Sequence, residues 1–223
     1  MPDPVSLGVS AGAMIVSATT AWLTLLRPGR LRMTRPTLFY LGPDGGLPKK
    51  ERPSVPKVYV RTLLFSTAKR GNLIENMYVT VRRGETRQNF NVWVYRQNGQ
   101  LSRGSGLYVS QDGVALDHHF LLPSDGSRFE FIAGDYSVEV FAKLVGKSRP
   151  LLLSTVSAHL SANVAEEATE NGGGVFFDWG PDRGSYYAST RPIPVTDDSV
   201  VPLTAAVSIL DGILSDPGPR RER

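Results

Sequence analysis

Cysteine is absent from all 223 residues, which removes disulfides, thiolate metal sites and cysteine nucleophiles together. Histidine is scarce, at three, and no Asn-x-Ser/Thr site for glycosylation occurs. There is no glycine-rich phosphate loop with its lysine, no Gly-x-Ser-x-Gly elbow and no His-Glu-x-x-His pair. Three large enzyme classes, the P-loop nucleotidases, the α/β-hydrolases and the zincins, therefore lack their signatures here. Charge is missing altogether from Val5 to Leu26, and helix-period patterning is nearly missing from 57 to 160.

The charge-free run is 22 residues long. At about 1.5 Å per residue it makes about 33 Å of helix, enough to cross a hydrocarbon core of ~30 Å. Ser6, Ser10, Ser17, Thr19, Thr20 and Thr24 interrupt it, but hydroxyls in a helix bond back to their own backbone. A cleaved signal peptide would need a basic stretch before the run and a small-residue cleavage site after it, and neither is evident. A buried soluble helix would carry charge on one face. Residues 1–35 are thus read as a membrane anchor with its span at 5–26. Arg27, Arg30, Arg32 and Arg35 follow without an acid, and by the positive-inside rule they place the N-terminus outside and the body on the cytoplasmic side of the inner membrane. With Lys49, Lys50 and Arg52 they form a basic cluster set against anionic lipid. Gly8 and Gly12, one helical turn apart, suggest a self-association stripe.

Residues 36–56 read as a short strand, Thr37 to Leu41, and a Pro/Gly-rich linker. From 57 to 160 the chain alternates apolar and polar residues in about eight short runs, the pattern of an antiparallel sandwich. Val58, Val60, Thr62 and Leu64 share one face of the first run, Met77, Val79 and Val81 one face of the second, and the turn at 69–72 predicts a hairpin between them. Gln88 to Tyr95 reads as one strand, and Arg128 to Ile132 as another. Residues 161–199 read as an acidic, glycine- and aromatic-containing linker, and 200–223 as a short amphipathic helix, from 200 to 214, with a tail. Charge is uneven: 49–103 holds twelve basic residues against three acidic, 104–198 six against thirteen.

Ala133-Gly-Asp-Tyr-Ser-Val-Glu-Val-Phe141 resembles the late strand of immunoglobulin-like and fibronectin-type sandwiches. There a tyrosine at a corner bonds back to the backbone, a role that falls here to Tyr136. The antibody-type disulfide is missing, and a C2-like or jelly-roll sandwich gives similar alternation. The whole pattern of one span followed by such a sandwich resembles uncharacterised bacterial single-span membrane-anchored proteins.

Asp117-His118-His119 is the one place where histidines meet. Alternation on a strand puts Asp117 and His119 on one face and His118 on the other, so a metal or catalytic site would draw on Asp117, His119 and His159. The bland reading, in which the histidines serve a sheet edge or a partner contact, carries more weight, and no cofactor is implied. Lys69, Arg70, Arg82, Arg83 and His118 make up an expected partner surface. Without stacking aromatics on the same face, these basic turns argue against nucleic acid. The expected function is a membrane-anchored, non-enzymatic interaction module that binds a protein partner at the inner face of the membrane. The alternatives are a histidine-dependent metal enzyme and an exported envelope protein.

Overall fold

The structure, a computed structural model, describes residues 3–27, 29–44, 55–97, 100–125 and 127–190. Lys49, Lys50, Arg52 and the helix expected at 200–214 lie outside these residues. Helix α1 (Pro4–Ala21) begins where Asp3 accepts a hydrogen bond from the Val5 amide and Pro4 takes the first turn, which needs no donor. Ser6 donates to the Asp3 carbonyl, and Ser10, Thr20 and Thr24 to the carbonyls four residues back, so these four hydroxyls are satisfied within the helix. A π-helical turn, Trp22–Leu26, ends it. The helix is long and apolar enough to cross a membrane, and the rest of the protein buries none of its residues.

The strands that follow are β1 (Leu31–Met33), β2 (Leu38–Pro43), β3 (Pro56–Ser66), β4 (Asn72–Arg83), β5 (Thr86–Phe90), β6 (Val92–Gln97) and β7 (Gln100–Arg103). Then come β8 (Leu107–Val109), β9 (Val114–Leu121), β10 (Gly134–Leu144), β11 (Leu151–Leu160), helix α2 (Ala162–Glu170), β12 (Val175–Gly180) and β13 (Ser185–Thr190). They form two antiparallel sheets. The larger runs β13-β12-β2-β3-β9-β6-β7, with β1 also on β3, and the smaller runs β11-β10-β4-β5, with β8 also on β4.

Alternation decides which side chains lie between the sheets. Phe39, Val58, Val60, Leu64, Trp93, Phe120 and Phe177 from the larger sheet meet Ile74, Met77, Val79, Val81, Val138 and Val140 from the smaller in one continuous core. A bulge at Glu75 and Asn76, both exposed, lets Ile74 point inward as well as Met77.

Several pairings differ from the sequence reading. Strands β3 and β4 do not pair: the turn at 67–71 carries the chain from one sheet to the other. The stretch 88–95 is likewise two strands, broken at Asn91, and its inward phase flips from Phe90 to Trp93 and Tyr95 as the chain changes sheets. Residues 128–132 form no strand, although Phe129 is buried. The segment read as a linker after 160 is α2 and the β12–β13 hairpin, which pairs with β2 and stacks Phe177 on Phe39 at 4.5 Å. The larger sheet therefore extends from Leu31 to Thr190, beyond the 57–160 expected.

Tyr136 is buried at the start of β10, and its hydroxyl donates to the Ile132 carbonyl at 2.6 Å. Arg83 donates to the Glu130 carbonyl and approaches the same hydroxyl, so the irregular link before β10 is held at two points. Removing the hydroxyl leaves a carbonyl without its partner and is expected to cost about 1–2 kcal/mol. Urea titration of full-length Tyr136→Phe in detergent micelles should show a lower midpoint with an unchanged slope.

Candidate functional site

Strand β9 lies between β3 and β6 in the larger sheet, so neither of its histidines is at an edge. His118 points inward and is 1% exposed. The Trp93 indole donates to its Nδ1 at 3.1 Å, which places the imidazole proton on Nε2. Burial pushes His118 down to about 4, so it is a neutral core residue and not the partner contact expected of it.

The opposite face carries a polar row. Cross-strand register sets Tyr40, Tyr59, His119 and Val94 side by side, with Arg61, Asp117 and Arg96 in the next row. Arg61 grips Asp117 with both ends of its fork, Nε to Oδ1 at 2.8 Å and Nη2 to Oδ2 at 3.2 Å, and the Tyr59 hydroxyl donates to Oδ1 at 2.8 Å. Burial raises the Asp117 pKa, but the Arg61 and Tyr59 bonds outweigh it and leave a net lowering. Burial, followed by the charge of Lys57, pushes His119 down to about 3. Its ring lies 5.0 Å from that of Tyr59, and neither nitrogen has a hydrogen-bond partner among the described residues.

Asp117 and His119 do share a face, as alternation requires. His159 does not join them: it is on β11 of the other sheet, 2.7 Å from Asp135. With Asp117 engaged by a guanidinium and a phenol, the chemistry of this donor set is that of a structural ion pair, not a metal cradle or a general base.

The basic positions divide. Arg35 lies over the Trp179 ring at 4.0 Å and ties β12 to the core sheet, so it is not a free lipid contact. Arg82 pairs with Glu139 at 3.5 Å, and Arg83 braces the Tyr136 corner. Both stand at the far end of β4 from Lys69 and Arg70. Over twelve residues at ~3.3 Å each that is nearly 40 Å, so these four do not make one surface. Arg27, Arg30 and Arg32 are exposed just after the apolar helix. At Gly8 and Gly12 an added Cβ would meet nothing within 4 Å, so close packing inside the chain does not explain these glycines.

One surface escaped the sequence reading. Strand β11 is an edge of the smaller sheet, and among the described residues it pairs only with β10. Leu151 to Leu160 contains no Lys, Arg, Asp, Glu or Pro, the residues that usually blunt such an edge. A bulge at Leu153 leaves Ser154 to Leu160 as a regular, seven-residue template. The other sheet edges are shorter: β5 has five residues and carries Arg87, β7 has four, and β13, also without Lys, Arg, Asp or Glu, has six. The absence of charge was visible in the sequence; that this strand is an edge was not.

Both buried histidines bind protons more readily unfolded, at about 6.5, than folded, so stability should fall as pH drops from about 6.5 toward 4. Urea midpoints across that window should decline in the wild type. They should decline less in His118→Gln/His119→Gln, whatever that variant's midpoint at neutral pH. No protein-family model, no curated protein and no solved structure matches this chain, so its function is read from the geometry above.

Proposed function

We propose that this chain is a single-span, membrane-tethered immunoglobulin-like module that recognises a protein partner by strand addition along β11 and performs no chemistry of its own. The single observation that carries the reading is the long edge of β11, which has no Lys, Arg, Asp, Glu or Pro and no second strand partner among the described residues. An extended peptide laid along it would find a row of backbone donors and acceptors for affinity and alternate side chains for specificity. Phe141, on the neighbouring β10, lies across from Leu152 and stacks on Tyr78 of β4 beyond it, which adds apolar contact area.

Strand order supports the immunoglobulin-like assignment. The path β2-β3-β9-β6 reproduces the A-B-E-D order of that fold, and β11-β10-β4-β5 reproduces G-F-C with one added strand. Tyr136 then stands where the tyrosine corner of such folds stands, at the start of the F strand. Strands β12 and β13 extend the first sheet past its A strand.

The arginines after α1 support an orientation with the sandwich on the cytoplasmic side of the inner membrane. Arg27, Arg30 and Arg32 would each gain about 1 kcal/mol from the anionic leaflet when they lie at its surface. Asp117 and His119 have a structural role in this reading, holding β3 and β9 in register.

Chemical cross-linking of the full-length protein in its native membranes tests the proposal. A defined protein should be captured by the wild type and lost from Thr155→Lys/Ser157→Lys, which changes two exposed β11 positions without touching the core. Capture that survives both lysines would move recognition to another surface. Absence of any captured protein, with stoichiometric metal in the purified sample, would favour the histidine-dependent alternative.

A further inference from the structure

We propose that the end of the sandwich beside the anchor is a docking surface for the anionic phospholipid headgroups of the bilayer that holds α1; the inference rests on the membrane-tether reading. The chain leaves little room for that end to be elsewhere. Five residue steps separate Leu26 from Leu31, the first residue of the larger sheet, and at ~3.6 Å per step they reach no more than about 18 Å. Arg30 is fixed to the sandwich as well: its amide donates to the Thr67 hydroxyl at 2.8 Å, and the Thr67 amide returns a bond to the Arg30 carbonyl.

A cleft of about 1440 Å3 opens at this end, between the anchor link, the 67–71 turn and the β10–β11 loop. Its walls carry Arg27, Arg30, Arg32, Arg70, Lys147 and Arg149, all exposed, and no acidic residue among the described ones. None of these six side chains has an ion-pair partner among the described residues, whereas Lys57, Arg61 and Arg82 elsewhere each hold a carboxylate. Six unneutralised cations on converging walls repel one another and favour a multivalent anion above them.

The same cleft is also lined by exposed apolar residues. Val145, at the apex of a tight turn that Gly146 permits at φ 75°, is 55% exposed. Leu73 and Tyr108 face each other across β4 and β8, and Leu151 and Leu152 open β11; all four are exposed. Exposed apolar side chains among unpaired cations, with a tyrosine among them, match the boundary between headgroups and acyl chains. An acidic protein would satisfy the charges but would not account for apolar tips this near a span.

The test uses the full-length chain, whose lack of cysteine allows one engineered thiol at a time. Fluorophores at Met14→Cys, Val145→Cys and Glu85→Cys report on the span, the proposed contact and the opposite end of β4. Each protein is reconstituted into phosphatidylcholine vesicles with and without phosphatidylglycerol, both containing brominated lipid as quencher. The Val145 label should be quenched several-fold more with phosphatidylglycerol, less at high salt, and no longer so in Arg70→Glu/Lys147→Glu/Arg149→Glu. The Met14 label should be quenched in both vesicles and the Glu85 label in neither. Quenching at Met14 without quenching at Val145, or equal quenching at Val145 in both lipids, overturns the headgroup surface and leaves the tether standing. A Met14 label that escapes quenching overturns both.

Discussion

The proposed role depends on an eighteen-residue helix that the sandwich leaves bare. Exposed valine, leucine, isoleucine and methionine along all its turns would be costly in water, and nothing else in the described chain covers them. A bilayer removes that cost and leaves the backbone satisfied, since the helix bonds its own amides and the hydroxyls of Ser6, Ser10, Thr20 and Thr24. Because the connection to β1 is short, a membrane location for the helix would also determine which end of the sandwich meets the membrane. The basic cleft, the distant Tyr136 corner and the β11 edge running between them then take positions relative to the bilayer.

The sandwich depends on a different constraint, the crossing points where the chain leaves one sheet for the other. Four of them are tight. Residues 67–71 join β3 to β4, Asn91 separates β5 from β6, 104–106 join β7 to β8, and 110–113 join β8 to β9. Gly104, between β7 and β8, lies so close beneath the Trp93 ring that an added Cβ would overlap it. The buried indole is held from its other side by His118, so the inward histidine and the loop glycine belong to one packing unit. The outer face of the same sheet is held by the Arg61–Asp117–Tyr59 group, which links β3 to β9 through side chains as well as backbone.

The alternation that made β3, β4 and β10 legible is a local property, set by which face of each strand is buried. Pairing is not local. The turn chemistry at 69–72 signals a reversal of the chain, but a reversal within a sheet and a crossing between sheets use the same residues. The flip of phase at Asn91 has no composition of its own and reads as continuous alternation. The β12–β13 hairpin was hidden for another reason: its aromatic residues sit among Gly, Pro and Ser, and their order comes from stacking on Phe39 and Arg35. Of the candidate site, the shared face of Asp117 and His119 followed from strand period, while the burial of His118 needed its indole partner. The cations of the cleft come from 27–32, 70 and 147–149, and only the fold brings them together.

The most direct test of a tethered cytoplasmic sandwich is the accessibility of a single thiol at Glu85 in the full-length, otherwise cysteine-free chain, probed in intact cells with a membrane-impermeant maleimide. The protein should remain with the membrane fraction through an alkaline carbonate wash, and the thiol should react only after the cells are broken. Release by carbonate would contradict the span, and labelling in intact cells would place the sandwich on the outer side.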